Sequence, residues 1–206
     1  MFPRLLLVLS AMVLLSPSAL AAGSSSERYQ ESYALEAAYS YQRALEKLDG
    51  ITPTGADAWL LPLRKGWLLY LLGRYEESVV AYDQAAKAAL PGSLEATLGR
   101  SLPLMALKRW AEAERDCRAV LKATPGSYTA QSRLAYVLYN SGKYAEAGTE
   151  YAALVTAWPS DVEMRAGLGW ALLKQGKTAE AKAAFELVLY LVPDHSSARE
   201  GMALVK

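Results

Sequence analysis

Pro91, Pro125, Pro159 and Pro193 stand 34 residues apart, and each closes a stretch with the same order of small, apolar and charged residues. A fixed period of that length predicts a solenoid of helical hairpins, in which no unit buries its apolar face alone and neighbours share one core. Such a chain is expected to work by holding a partner.

Four segments align at this period: 59–93, 94–127, 128–161 and 162–195. In each first helix a small residue recurs (Gly66, Ser101, Ala135, Gly169), followed three positions later by Leu69, Leu104, Leu138 or Leu172. Small beside large at this spacing lets helices approach closely while a branched side chain fills the gap. The turns carry Gly73, Gly142 and Gly176, with Lys108 in the second repeat; glycine suits a helix end because it accepts a left-handed backbone. The second helices share Glu77, Glu112, Glu146 and Glu180 near the positive end of the helix dipole. Then come Ser78, Ala113, Ala147 and Ala181, next Tyr82, Cys117, Tyr151 and Phe185, and finally Ala85, Val120, Leu154 and Val188. These three sets predict one buried stripe. Ser93, Ser127, Asp161 and Ser196 are placed to cap the following first helices.

Leu168-Gly169 with Gly176-Lys177 and Glu180-Ala181, and Gly142-Lys143-Tyr144 with Glu146-Ala147, resemble the tetratricopeptide repeat signature. The resemblance covers residues 59–195 and implies an all-α, right-handed α-solenoid of four repeats. Residues 27–49 read as one additional N-terminal helix ended by Gly50, 50–58 as a linker, and 196–206 as a capping helix that echoes the start of the fourth repeat. Pro103 departs from the pattern. It removes a backbone donor inside a first helix, which predicts a kink or early break.

The N-terminus reads as an export signal. Arg4 precedes an apolar run from Leu5 to Leu15, and Ala19-Leu20-Ala21 supplies small residues for cleavage after residue 21, with 22–26 a flexible lead. The run is shorter than the ~20 apolar residues that span a bilayer. A periplasmic or secreted protein without a membrane segment is therefore expected. Cys117, the single cysteine, lies too far from the cut to carry a lipid anchor. Removing Arg4 from 22 basic and 21 acidic residues leaves 21 against 21, a net charge of zero. Without a basic footprint a nucleic-acid partner is disfavoured.

In the family it resembles, the first helices line a concave face that holds ligands. Residues one and four positions past the small slot then form the lining: Trp67 and Tyr70, Leu102 and Met105, Tyr136 and Tyr139, Trp170 and Leu173, with Asn140 and Lys174 near the rim. The lysine–asparagine clamp for a peptide carboxylate found in some members is missing, because Leu63, Leu98, Ser132 and Ala166 occupy its slots. Packing is the competing reading: the N-terminal helix, whose Tyr29, Tyr33, Tyr39 and Tyr41 need surfaces of their own, would then cover Trp67 or Tyr70. The expected partner is a protein or peptide of the bacterial cell envelope. A glycan stacked on the aromatic stripe, in polysaccharide assembly or export, is the alternative. An enzyme fits poorly: His195 lies in a capping loop, Cys117 fills a core slot, and no metal cluster or phosphate loop is present. No cofactor is expected.

Overall fold

The computed structural model describes residues 24–53, 55, 58–89 and 93–205. The expected signal peptide, the start of the lead and Pro91 lie outside the described residues. The chain divides into two compact units, one ending at Thr52 and one beginning at Pro53.

The first unit corrects the single helix expected over 27–49. It holds two helices, α1 (Ser25–Ala37) and α2 (Tyr41–Glu46). Ser24 and Glu27 open α1 with a reciprocal capping box. The break comes at Tyr39, whose φ is 57°. There the Tyr39 N–H donates to the Glu36 carbonyl and the Ser40 N–H to the Leu35 carbonyl, each at 2.8 Å. This pair of bonds is the Schellman ending of a helix, here built on a non-glycine residue. Ala44 and Leu48 are fully buried in this unit, while Arg28 Nη1 donates to the Asp49 carbonyl at 2.7 Å.

The second unit is the expected solenoid. Its first helices are α3 (Leu60–Leu71), α5 (Glu95–Ala106), α7 (Tyr128–Asn140) and α9 (Val162–Lys174). Its second helices are α4 (Tyr75–Ala88), α6 (Trp110–Ala123), α8 (Tyr144–Ala157) and α10 (Thr178–Leu191), and α11 (Ser196–Leu204) follows. All four hairpin turns repeat the Schellman pattern, with Gly73, Lys108, Gly142 and Gly176 at positive φ. Lys108 pays the steric cost that its glycine counterparts avoid.

Two caps differ from expectation. Ser127 and Asp161 accept from the N–H groups of Ala130 (3.3 Å) and Met164 (3.1 Å), as their types predict. By contrast, α5 starts at Glu95 after Leu94, so Ser93 is not its cap. For α11 the cap is His195, not Ser196: His195 Nδ1 accepts from the Ala198 N–H at 3.2 Å. The repeat itself carries this answer, because His195 lies 34 residues after Asp161.

Between successive hairpins the core is organised by rings on glycines. Tyr82, Tyr151 and Phe185 are nearly or fully buried. A Cβ added to Gly66 would stand 3.0 Å from the Tyr82 ring, and one on Gly169 2.6 Å from that of Phe185. On the next first helix, Gly99 backs Tyr82, Gly167 backs Tyr151 and Gly201 backs Phe185, each too close for any side chain. Gly167 shows the fit, at 2.5 Å from the Tyr151 ring. Absent side chains thus let a flat ring wedge between two first helices and bury its full face.

The joint between the second and third repeats is built differently. Cys117 replaces the ring and is fully buried, its thiol pushed up to about 11 by that burial. Arg133 stands where Gly99, Gly167 and Gly201 stand elsewhere. Its Nη1 donates to the Leu98 carbonyl at 2.6 Å and to Ser101 Oγ at 3.0 Å. Beside it, Arg100 forks onto the buried Asp116 carboxylate at 2.8 and 2.6 Å and also bonds Asp83. These carboxylates hold the Arg100 guanidinium charged against the cost of its desolvation.

Pro103 does not break α5 early. The helix continues to Ala106 with the proline fully buried in its interior. Packing of α5 against both α4 and α6 offsets the missing bond.

Candidate functional site

The first helices α3, α5, α7, α9 and α11 touch one another in sequence, whereas the substantial contacts of the second helices are with first helices. The layer whose members also meet each other is the inner one, so the first helices line the concave side.

On that side a groove of about 390 Å³ is lined by residues of α7, α8, α9 and α11. Four of the ten residues expected there meet in it: Tyr136, Tyr139, Asn140 and Trp170. Tyr136 is 46% exposed, a large open surface for an aromatic ring, and it meets Trp110 in a T-shaped contact with centroids 6.4 Å apart. Tyr139 is half-buried against Tyr144, with ring centroids 5.4 Å apart, and burial raises its phenol pKa. Trp170 is fixed from two sides: its ring meets Phe185 edge-on at 5.6 Å, and its Nε1–H donates to Ser197 Oγ at 2.8 Å. The Asn140 amide donates to the Tyr136 carbonyl on its own helix at 2.9 Å, and its side chain is exposed at the rim, with a second N–H and the carbonyl oxygen beyond that bond.

The other predicted residues lie elsewhere. Trp67 and Tyr70 stack on each other at 5.7 Å. Trp67 packs on the Tyr82 cluster, Met105 on the Leu104 cluster and Leu173 on the Phe185 cluster. Leu102 is half-buried and Lys174 is exposed.

Four polar groups of the groove escaped the sequence reading: Tyr151, Glu163, Ser197 and Glu200. Tyr151 was assigned to the core, and at 5% exposure it belongs there. Because its ring slots past Gly167, it also forms part of the groove lining. Burial raises the pKa of its phenol strongly, with Tyr136 and Tyr139 close enough to add to the shift, so at neutral pH it is an uncharged donor. Glu163 and Ser197 occupy one register 34 residues apart, and the period could have flagged both as lining. The Glu163 Oε1 lies 3.2 Å from His195 Nε2. Since Nδ1 accepts the cap bond, Nε2 carries the proton and donates to this carboxylate. His195 is thereby engaged at both nitrogens.

Comparison with known proteins agrees with this architecture. No curated protein sequence matches. Among solved structures, YrrB, a TPR protein with an unusual peptide-binding site, is 16% identical with a TM-score of 0.74, covering 87% of this chain and 92% of its own. MamA from Desulfovibrio magneticus RS-1 is 20% identical with a TM-score of 0.76, over 85% and 99% of the two chains. A tetratricopeptide repeat protein from Parabacteroides merdae is 18% identical with a TM-score of 0.77, over 86% and 70%. A tetratricopeptide repeat profile matches residues 63–128 and 132–196, and with the hairpin array, its turns and its shared core this chain belongs to the tetratricopeptide repeat family.

Proposed function

We propose that this protein is a non-catalytic interaction scaffold of the bacterial cell envelope, which holds a peptide segment of a partner protein on its concave face. One observation carries the reading: Tyr136 is 46% exposed in a groove that also gathers Tyr139 and Trp170. An open aromatic surface inside a concavity, on a framework that holds the rings in place, is the usual form of an interaction site. The peptide-binding site of YrrB, a relative in fold, supports a peptide as the class of ligand. The leader pattern around Arg4 and Leu5 to Leu15 supports export.

Crosslinking in envelope fractions followed by affinity purification tests both halves. The processed chain is expected in the osmotic-shock fraction with a discrete partner. Tyr136→Ala alone should weaken capture at least tenfold, and Tyr136→Ala with Trp170→Ala should abolish it while circular dichroism stays helical. A folded double variant that keeps every partner ends the groove assignment. An uncleaved chain found only in the cytoplasm ends the envelope assignment.

A further inference from the structure

We propose that the groove formed by α7, α8, α9 and α11 receives a positively charged side chain, arginine or lysine, of the bound partner segment. This rests on the peptide-scaffold reading above and specifies its ligand.

The groove has an uneven charge. Its lining carries two carboxylates, Glu163 and Glu200, and neither lysine nor arginine. Several glutamates of the second helices are answered by cations: Arg74 forks onto Glu77, Arg109 onto Glu112, and Arg118 reaches Glu146. Glu200 forms no hydrogen bond or ion pair among the described residues, and Glu163 has only His195. The arginines of the same two helices point to loop carbonyls instead: Arg165 donates to Pro159 and Arg199 to Pro193, each at 2.9 Å. The groove's negative charge is therefore left without an internal counter-ion.

A second observation points the same way. The Tyr151 side chain is nine-tenths buried and lines the groove, and its hydroxyl has no hydrogen-bond partner among the described residues. That hydroxyl opens on the groove, where its oxygen can accept a hydrogen bond from a ligand's N–H. The rings of Tyr136, Tyr139 and Trp170 complete the lining, and aromatic rings attract a cation through their quadrupole. Carboxylates and rings together suit a guanidinium or ammonium and repel a peptide's terminal carboxylate. Where some members of the family carry a carboxylate clamp, this groove has the opposite charge preference.

The test uses the full chain, immobilised and exposed to a degenerate library of N-acetylated, C-amidated nonapeptides. The retained pool is expected to be enriched in arginine or lysine at one position. In the best binder, arginine→citrulline should weaken affinity about tenfold, which corresponds to about 1.4 kcal/mol. Glu163→Gln with Glu200→Gln should weaken the arginine peptide by a similar factor and leave the citrulline peptide unchanged; glutamine at 163 still accepts from His195. A retained pool without basic enrichment, or arginine binding indifferent to E163Q/E200Q, overturns the cation assignment. If that same pool still depends on Tyr136, the groove reading survives. A library from which nothing is retained, or whose binding ignores Tyr136→Ala, overturns the groove reading and this proposal with it.

Discussion

The repeats are joined in two ways. At the first, third and fourth joints, an aromatic ring from a second helix lies against a glycine of the next first helix: Tyr82 on Gly99, Tyr151 on Gly167, Phe185 on Gly201. At the second joint the bulk comes from the opposite partner, with a small Cys117 facing Arg133. The two solutions fill comparable space, but one is apolar and the other brings a guanidinium into the interior. Burial lowers the pKa of Arg133, and carbonyl and hydroxyl acceptors offset its desolvation. A repeat fold constrains the summed volume across a joint more tightly than the identity of either partner.

Exchanging the joint types should give the largest effect. Cys117→Tyr alone forces a ring into space occupied by Arg133 and should cost about 3 kcal/mol. Adding Arg133→Gly should recover much of that loss, with a coupling of about 1–3 kcal/mol in a urea-unfolding double-mutant cycle. Strict additivity would break the equivalence of the joints. A smaller cost is expected from Gly167→Ala, whose new methyl would sit 2.5 Å from the Tyr151 ring. Overpacking of about 1–3 kcal/mol should outweigh the ~1 kcal/mol by which alanine favours a helix, giving a lower Cm at unchanged m. A stabilised variant would mean the ring moves aside freely. The smallest effect concerns the turn of that odd second repeat, where Lys108 holds φ at 56°. Lys108→Gly should raise stability by about 0.5–1 kcal/mol, and a lower thermal midpoint would place another role on that lysine.

Much of this was legible beforehand. The 34-residue period set the hairpins, the small slots and the buried stripe, because side-chain volume and helical spacing repeat in register. What stayed hidden depends on pairs across repeats. Gly99, Gly167 and Gly201 give no sign alone of which ring rests on them, and Arg133 explains itself only once Cys117 is found too small. The split of the N-terminal helix was hidden because Tyr39 takes a backbone shape that its sequence does not advertise. Aromatic spacing located Tyr136, Tyr139 and Trp170 of the groove, while Trp67, Met105 and Leu173 pack on core clusters outside its lining. Glu163 and Glu200 were passed over because carboxylates on helices usually need no special reason.

The gap left by Gly167 acts as a window through the inner wall. A side chain rooted in the outer layer, Tyr151, is visible to a ligand from the inside, whereas the corresponding Phe185 brings no polar atom to its own gap. Under the proposed function, selectivity in such an array can be edited from behind, one hydroxyl at a time, while the exposed lining stays unchanged.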